Sequence, residues 1–333
     1  MKNFFKIKNI ILLLLSLFLI MFIKYGWKYY GYEISAYFDF NRKELQITTP
    51  YGNGGACHPK VVCFKEGFNG YKYWMAYTPY PKHNSKFENP CILASNDLEQ
   101  WEVPKELLEP CLDDLSYNKD KRIYNSDTHL LFNSDTKKLE CWWRFVNDKD
   151  KEVVIYRRTS VDGIHWDAKE VVRKINNRKL LDYLSLSIVY EEGIYKIWYM
   201  FKGNIWLTET VNLKTFTVPQ KMNINYGKEL IPWHLDVEKT PKGYEMIYVA
   251  YPRKQKNHYN MKLYHCLSKD GIDWSNPSIV LEPRKYKSWD NGGLYRSSLL
   301  KIDDVYHVIY TGWGKNEGVG LGHVSGKHIN SLR

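Results

Sequence analysis

Five short apolar segments of this chain each begin with a pair of polar residues. The two members of a pair are separated by one residue and followed by aliphatic side chains. Side chains two apart on a β-strand share a face, so each pair can project into one common site. Carboxylates, imidazoles and a guanidinium grouped in this way can exchange protons, orient a polar substrate or hold a cation. The ten residues are His58, Lys60, Asp127, His129, Ser185, Ser187, His234, Asp236, Arg296 and Ser298.

A recurring turn motif indicates the elements that must position these residues. Residues 160–166 (SVDGIHW) and 268–274 (SKDGIDW) share the pattern S-x-D-G-x-x-W, and residues 95–101 and 210–216 are weaker copies with leucine in place of glycine. The hydroxyl and the carboxylate can accept hydrogen bonds from backbone N–H groups of a tight turn, glycine takes a positive φ, and the aromatic residue anchors the turn. Copies at intervals of about 50 to 65 residues in a strand-rich chain predict the blades of a β-propeller.

Five comparable units run from residue 33 to residue 333. Each opens with a polar pair and continues into a strand rich in tyrosine and tryptophan, at residues 71–77, 139–145, 194–201, 244–250 and 305–311. Two alternating runs before the first unit, residues 34–40 and 45–49, are expected to supply a strand that completes the last blade and closes the ring. We therefore predict an all-β fold, a five-bladed β-propeller over residues 33–333, with the opening strands around its axis.

The first 30 residues have the composition of an export or anchoring segment. Lys2, Lys6 and Lys8 precede an apolar run at residues 10–23, and no small-x-small cleavage site follows it. As a helix this run spans roughly 21 Å, short of a hydrocarbon core of roughly 30 Å, although flanking lysines and aromatic residues can extend it. We predict a signal anchor at residues 1–30 of a single-pass cell-membrane protein with the propeller outside. A cleaved signal with secretion and a buried core helix are the alternatives.

Composition limits the partners of the chain. The formal charge of +11 is carried by lysines scattered among other residues, which favours a solvated basic surface over a nucleic-acid site. Six cysteines form no C-x-x-C pair, which argues against a zinc ribbon or redox motif and leaves disulfides and buried thiols open. The 12 tryptophans and 27 tyrosines suit both a sheet core and surfaces that stack on sugars. Nothing in the sequence indicates an oligomeric state.

Loops expected at the open end of the axis carry aromatic and polar residues. They are residues 78–89 in unit one, 251–259 in unit four and 312–317 in unit five, with residues 289–293 before the fifth opening strand. Aromatic faces stack on pyranose rings, and polar groups bind their hydroxyls. Tyr80, Asp290 and Trp313 are therefore predicted to bind substrate at this rim.

With five units, polar inner strands and S-x-D-G-x-x-W turns, residues 33–333 resemble the five-bladed β-propeller glycoside hydrolase superfamily of the arabinanase, levansucrase and invertase type. The turn is similar to the Asp box of six-bladed sialidases but one residue shorter. This resemblance implies a carbohydrate substrate bound in the axial pit. Arabinanase-like members place an acidic residue at the start of blade one, an aspartate in blade two and a glutamate in blade three. This chain has His58, Asp127 and Ser185 there, so only Asp127 matches.

A glycosidase of this type needs a second carboxyl group. Two carboxyls lie about 5–5.5 Å apart in retaining enzymes and roughly 6.5–9.5 Å apart in inverting ones. Asp127 and Asp236, on blades two and four, are predicted to form an inverting pair across the channel, with Glu88 as a further, loop-borne acid. His58, His129, His234 and Arg296 are expected to tune their pKa values or hold an anionic substituent. These four residues and Lys60 are the predicted substrate-binding residues of the axial pit.

Three functions are open on these grounds. The first is a glycoside hydrolase-like enzyme acting on an envelope or extracellular polysaccharide, and the second is a non-catalytic carbohydrate-binding propeller for surface polysaccharide assembly or attachment. Neither of these needs a cofactor or a metal. The third is a metal-supported site, in which an aspartate and His58, His129 and His234 ligate a divalent ion.

Overall fold

A computed structural model of the chain describes residues 12–21, 23–25, 42–255, 258–284, 288–314 and 318–332. Residues 12–21 and 23–25 are helical. Within the part of the chain that is described, no helix is both long enough and apolar enough to cross a membrane. The predicted anchor is thus not supported by the structure. Its three leading lysines, like the predicted strand at residues 34–40, lie outside the described residues.

The rest of the described chain is built from short β-strands, and three 3₁₀ turns lie at Pro81–His83, Ser85–Phe87 and Ile329–Ser331. The strands in chain order are β1 (Lys43–Leu45), β2 (Thr48–Thr49), β3 (Gly52–Asn53), β4 (Ala56–Phe68), β5 (Tyr71–Pro79), β6 (Cys91–Ser95), β7 (Ile123–Asn133), β8 (Lys138–Asn147), β9 (Glu152–Ser160), β10 (Glu170–Ile175), β11 (Leu184–Glu191), β12 (Ile194–Phe201), β13 (Asn204–Thr210), β14 (Gln220–Lys221), β15 (Leu230–Thr240), β16 (Gly243–Pro252), β17 (Lys262–Ser268), β18 (Ser278–Leu281), β19 (Gly293–Ile302), β20 (Val305–Gly314) and β21 (Gly318–Gly326).

These strands form five antiparallel blades and one small hairpin, β2–β3. In strand order the blades are β4-β5-β6, β7-β8-β9-β10, β11-β12-β13-β14, β15-β16-β17-β18 and β19-β20-β21-β1. Their first strands contact one another in the cycle β4, β7, β11, β15, β19 and back to β4, which closes a ring around one axis. The five-bladed all-β propeller predicted from the sequence is confirmed.

The fifth blade is completed from the N-terminal side, as predicted. Strand β1 pairs antiparallel with β21, with Lys43 opposite His323 and Leu45 opposite Leu321. A disulfide joins Cys91 in β6 of blade one to Cys111. This pairing, which the sequence left open, fastens the loop outside the three-stranded first blade.

Blades pack face to face, so a middle strand is buried on both sides. In β12, Ile197 and Tyr199 belong to a core cluster shared with blade two, whereas Trp198 and Met200 belong to a cluster shared with blade four. Alternate side chains of one strand therefore bury apolar area against two different neighbours. This explains why the second strands are almost continuously apolar and aromatic.

The repeated turn has the hydrogen bonds that its sequence predicts. Ser160 Oγ accepts from Gly163 N at 2.8 Å, and Trp166 Nε1 donates to Gly163 O at 2.9 Å. Leucine in the two weaker copies takes the same left-handed conformation, with φ of 66° at Leu98 and 59° at Leu213. Glycine is thus not required by the turn itself.

The glycine of the complete copies is required by the neighbouring blade. A Cβ atom added to Gly163 would lie 2.3 Å from Cζ3 of Trp74 in blade one, and Gly163 has a φ of +77°. A Cβ atom added to Gly271 would likewise lie 2.8 Å from Cζ2 of Trp198 in blade three, which also donates through Nε1 to Gly271 O at 2.9 Å. Each complete turn therefore carries a tryptophan contact between blades.

We predict that Gly163→Ala lowers the free energy of unfolding more than Gly193→Ala does. Both glycines have a positive φ, +77° and +79°, but a Cβ atom added to Gly193 would meet nothing within 4 Å. The matched control should lose about 1 kcal/mol from backbone strain, and Gly163→Ala a further 1–3 kcal/mol or so from the clash with Trp74. Urea unfolding of both variants measures the difference, and equal losses would show that the tryptophan contact contributes nothing.

Candidate functional site

Each innermost strand changes register at or beside its first polar residue. The shifts fall between Cys57 and Lys60, Ser126 and His129, Leu184 and Ser187, Pro232 and His234, and Leu294 and Ser297. At this position the first three blades hold a non-glycine residue in the left-handed region, with φ of 54° at His58, 53° at Asp127 and 55° at Ser185. A bulge re-aims side chains, and strain of this kind collects at functional sites.

The ten polar residues consequently form two layers along the axis. The inner layer contains the third positions of the opening strands, and its side chains bond to the backbone of the next blade. Ser187 accepts from Val237 N at 2.8 Å, Asp236 from Leu299 N at 3.0 Å, and Ser298 from Val61 N at 3.0 Å. His129 Nε2 lies 3.1 Å from Ile188 N in the corresponding place. These residues join neighbouring blades.

Blade one departs from this pattern because Lys60 cannot accept a hydrogen bond. Its ammonium donates to both carboxylate oxygens of Asp236, at 2.8 and 2.9 Å, and also to Glu238. The charged pair is buried, with 4% of Lys60 and 1% of Asp236 exposed. Lys60 and Glu238 line a cavity that is formed by later residues of the same strands. Asp236 thus ties blades one and five to blade four, and its catalytic pairing with Asp127 stays a prediction.

The outer layer brings together His58, Asp127 and His234. One ligand atom from each lies within 4.8 Å of the other two, and all three side chains are buried. Asp127 Oδ1 is 3.5 Å from His234 Nδ1 and 3.9 Å from Nη1 of Arg296. Among the described residues, His58 Nε2, Asp127 Oδ1 and both ring nitrogens of His234 find no hydrogen-bond partner. Buried polar atoms are costly when they lack a hydrogen-bond partner, so these four atoms are available to a bound group.

Burial keeps the two imidazoles of this cluster neutral. It lowers the pKa of His58 to about 4 and the pKa of His234 well below its usual range. His58 Nδ1 lies 2.8 Å from Thr78 Oγ1, whose hydroxyl can donate to Cys57 O at 3.4 Å. With a proton on Nδ1 donated to Thr78, His58 Nε2 carries a lone pair to which no described residue is bonded.

Three further residues lie around Asp127 and His58. Ser126 Oγ donates to Asp127 Oδ2 at 3.1 Å and accepts from Arg144 Nη1 at 3.1 Å. Glu88 lies 3.6 Å from His58 Nδ1, and burial together with the nearby Asp127 raises the pKa of Glu88 well above its usual range. Glu88 therefore keeps its proton to a higher pH than an ordinary glutamate does.

Two imidazoles and one carboxylate are a donor set suited to a divalent transition-metal ion. The buried atoms that lack hydrogen-bond partners are suitable ligands for such an ion. The hydrogen bond between His58 Nδ1 and Thr78 also suits an ion site, because a bond from the second ring nitrogen orients a ligating histidine. The metal alternative drawn from the sequence included His129, which does not belong to this cluster. The His129 ring lies in the inner layer against Ile188 because it occupies the third position of its strand.

The cluster opens into a cavity of about 820 Å³. Glu88 and Tyr80, both singled out from the sequence, lie in its wall, and Trp313 lies in the wall of a neighbouring cavity. Asp290 is fully buried and accepts from Tyr310 OH at 2.9 Å, and Arg296 is buried behind the cluster. The other lining residues include Tyr124, Arg144, Arg178, Asp182, Lys202, Trp233, Tyr251, Arg253 and Tyr295.

Some of these wall residues are not predicted from the sequence. Arg144 is a buried cation in the mostly apolar β8 strand, and Tyr295 directly precedes Arg296. A cation in a buried strand is a usable signal, since it must have a partner. Lys202 lies in a hairpin turn, and nothing in the local sequence indicates that it faces a cavity.

We predict that protein stability falls as the pH drops through the range from about 6.5 to about 4. His58 has its pKa lowered from 6.5 to about 4 in the folded state, so protonation favours the unfolded chain below pH 6.5. At about 1.4 kcal/mol per pKa unit, this residue alone accounts for about 3 kcal/mol across the window. Urea unfolding at pH 7 and pH 4.5 in chelator should show a smaller pH dependence for His58→Gln than for the wild type. An unchanged dependence would contradict the assignment.

Comparisons with known proteins agree with this architecture. The family described as Glycosyl hydrolases family 32 N-terminal domain matches residues 238–324. The "A type blood N-acetyl-alpha-D-galactosamine deacetylase" of Flavonifractor plautii is 27% identical, over 72% of this chain and 37% of that protein. The chain thus spans little more than a third of the length of this curated relative.

Solved structures show the same fold. The crystal structure of an N-acetylgalactosamine deacetylase from F. plautii in complex with blood group B trisaccharide superposes with a TM-score of 0.76 at 22% identity, covering 87% of this chain and 95% of that one. An α-L-arabinanase of Penicillium chrysogenum complexed with arabinobiose gives a TM-score of 0.56 at 13% identity, covering 87% and 99%. The chain is therefore similar in fold to the propeller superfamily of glycoside hydrolase type, and its own propeller has five blades.

Proposed function

We propose that this chain is a metal-dependent hydrolase that removes the acetyl group from an N-acetylated sugar. The observation that carries the proposal is the set of buried, partnerless ligand atoms of His58, Asp127 and His234 in the wall of a large cavity. The activity for which the Flavonifractor plautii relative is named, N-acetyl-α-D-galactosamine deacetylation, supports the reaction class.

Deacetylation requires water to add to the acetamide carbonyl carbon, the C–N bond to break, and a proton to reach the departing amine nitrogen. A divalent ion supplies a water of lowered pKa and polarises the carbonyl oxygen. Neutral His58 and His234 and the carboxylate of Asp127 present the lone pairs that hold such an ion. Glu88, whose pKa is raised, can donate its proton to the amine nitrogen as the C–N bond breaks, and the proton lost by the attacking water then restores the Glu88 carboxyl group.

The cavity wall suits a carbohydrate. Trp233, Tyr251 and Tyr295 offer aromatic faces for sugar rings, and Arg178 and Arg253 offer donors for their hydroxyl or acidic groups. A volume of about 820 Å³ falls within the usual range of ligand sites, about 300–1,000 Å³. We therefore propose a glycan rather than a small metabolite as the substrate.

We also propose that the domain works outside the cell on an envelope or extracellular polysaccharide. The Cys91–Cys111 disulfide supports this location, because disulfides persist in oxidising compartments. Membrane attachment through residues 1–30, or secretion after cleavage of that segment, stays a prediction of the sequence.

Glycoside hydrolysis is the second candidate. Glu88 and Asp127 both line the cavity, so two carboxyl groups are available there without Asp236. A glycosidase would release reducing ends, a deacetylase would release acetate, and a non-catalytic binding propeller would release neither. Product analysis therefore separates all three.

We predict that chelation removes acetate release and that added Mn²⁺ or Zn²⁺ restores it. The assay uses oligosaccharides that end in N-acetylgalactosamine and measures acetate and reducing ends in the same samples. Among the described residues, one group of three histidine, cysteine or acidic side chains has its ligand atoms close enough together to hold an ion. It consists of His58, Asp127 and His234. Reducing ends in place of acetate would contradict deacetylation, and chelator-resistant acetate release would contradict the role of the metal.

We predict different losses for Asp127→Asn and Asp236→Asn. Asp127→Asn should lose the stoichiometric metal and lower the rate of acetate release by at least about 10²-fold, the range typical of a positioned catalytic group. Asp236→Asn should keep the metal but lower stability, because it leaves the buried Lys60 ammonium short of its partner. Elemental analysis, thermal unfolding and acetate assays measure these effects. His165→Ala, whose side chain is 80% exposed, is the histidine-type control and should change none of them.

A further inference from the structure

A second, smaller cavity of about 280 Å³ adjoins the large one, and the two share Tyr80 and Tyr295 as walls. We propose that this second cavity is a subsite for an uncharged sugar ring, adjacent in the same glycan to the N-acetylated unit held in the large cavity. The inference rests on the proposed function, since it places the N-acetylated unit beside His58, Asp127 and His234.

The second cavity has a rigid aromatic platform. Tyr259 and Trp313 lie with ring centroids 4.6 Å apart, and His83 meets Trp313 edge-on at 6.2 Å. Trp313 itself packs against Gly293, where an added Cβ would lie 2.8 Å from its Nε1 atom. Because the glycine allows this close approach, the indole is held in place before any ligand arrives, which lowers the entropic cost of binding.

The platform continues into the wall of the large cavity. Trp233 of the large cavity stacks on His258 of the second, with centroids 4.3 Å apart. Trp233 Nε1 also donates to the hydroxyl of Tyr295, the shared wall residue, at 3.1 Å. A glycan can therefore remain in contact with aromatic faces as it passes from one cavity to the other.

Charge and size restrict the occupant. Among the described residues that line the second cavity, none is Asp, Glu, Lys or Arg. Burial lowers the pKa of its two histidines, His83 and His258, so both are neutral at neutral pH. The volume of about 280 Å³ is slightly below the usual range of whole ligand sites, about 300–1,000 Å³, so the space suits a single ring. A neutral pyranose that stacks on aromatic faces meets both limits.

The test compares two substrates in the full chain. Tyr259→Ala should raise KM about tenfold for an N-acetylgalactosamine-terminated trisaccharide, equivalent to about 1.4 kcal/mol, and leave KM for the methyl glycoside of N-acetylgalactosamine within about twofold. Trp313→Phe should act in the same direction. Tyr117→Ala, at a tyrosine that is 76% exposed, is the matched control and should leave both values unchanged. Calorimetric titration of the metal-free protein with each sugar supplies a readout that is independent of turnover.

The outcomes separate this inference from the proposed function. A selective loss of trisaccharide affinity in Tyr259→Ala supports the subsite. This holds even where neither sugar releases acetate, a result that would refute only the deacetylase proposal.

The subsite is overturned if both sugars lose affinity equally, or if Tyr259→Ala and Trp313→Phe both bind the trisaccharide as the wild type does. Acetate release in those variants would still support the deacetylase proposal.

Discussion

The axis of this propeller is held together by side chains that bond to the backbone of the next blade. Inner strands of different blades belong to separate sheets, so their axial N–H groups have no strand partner in the neighbouring blade. Buried N–H groups must be satisfied, and Ser187, Asp236 and Ser298 accept from them. Lys60 in blade one instead crosses to Asp236, which makes that carboxylate the meeting point of several blades.

In the opening strands, the residues that hold the blades together differ from the residues that line the cavity. The third positions hold blades together, whereas the first positions of blades one, two and four, which are His58, Asp127 and His234, line the cavity. His58, Asp127 and His234 consequently keep buried atoms without partners, in contrast to Asp236 one layer below. His234 and Asp236 are two residues apart in one strand, yet His234 lines the cavity and Asp236 bonds to neighbouring blades. The strain at His58 and Asp127 is sustained because packed blades on both sides fix the backbone.

The sequence predicts the fold well because its signals are local. Alternating aromatic strands place β12 at its observed bounds, the turn motif marks the ends of third strands, and β1 closes the ring as expected. The site is harder to predict. The prediction that both members of a polar pair share one face assumes a regular strand. Asp127 has a φ of 53°, which is not the conformation of a regular strand, and no glycine at that position indicates it in the sequence. Long-range partners, such as Thr78 for His58 or Tyr310 for Asp290, leave no periodic trace.

The residues at the cavity suggest how one scaffold can serve two chemistries. The arabinanase-like pattern has a carboxylate at the first position of blades one, two and three, whereas this chain keeps only Asp127 and places His58 and Ser185 beside it. Paired carboxylates suit proton transfer to and from a glycosidic oxygen, since one can be an acid while the other is a base. An imidazole of lowered pKa cannot replace the acid, because it is already neutral and offers a lone pair instead. In the proposed site, His58 at one strained position thus replaces a carboxyl group with an uncharged nitrogen ligand, and His234 of blade four supplies a second one.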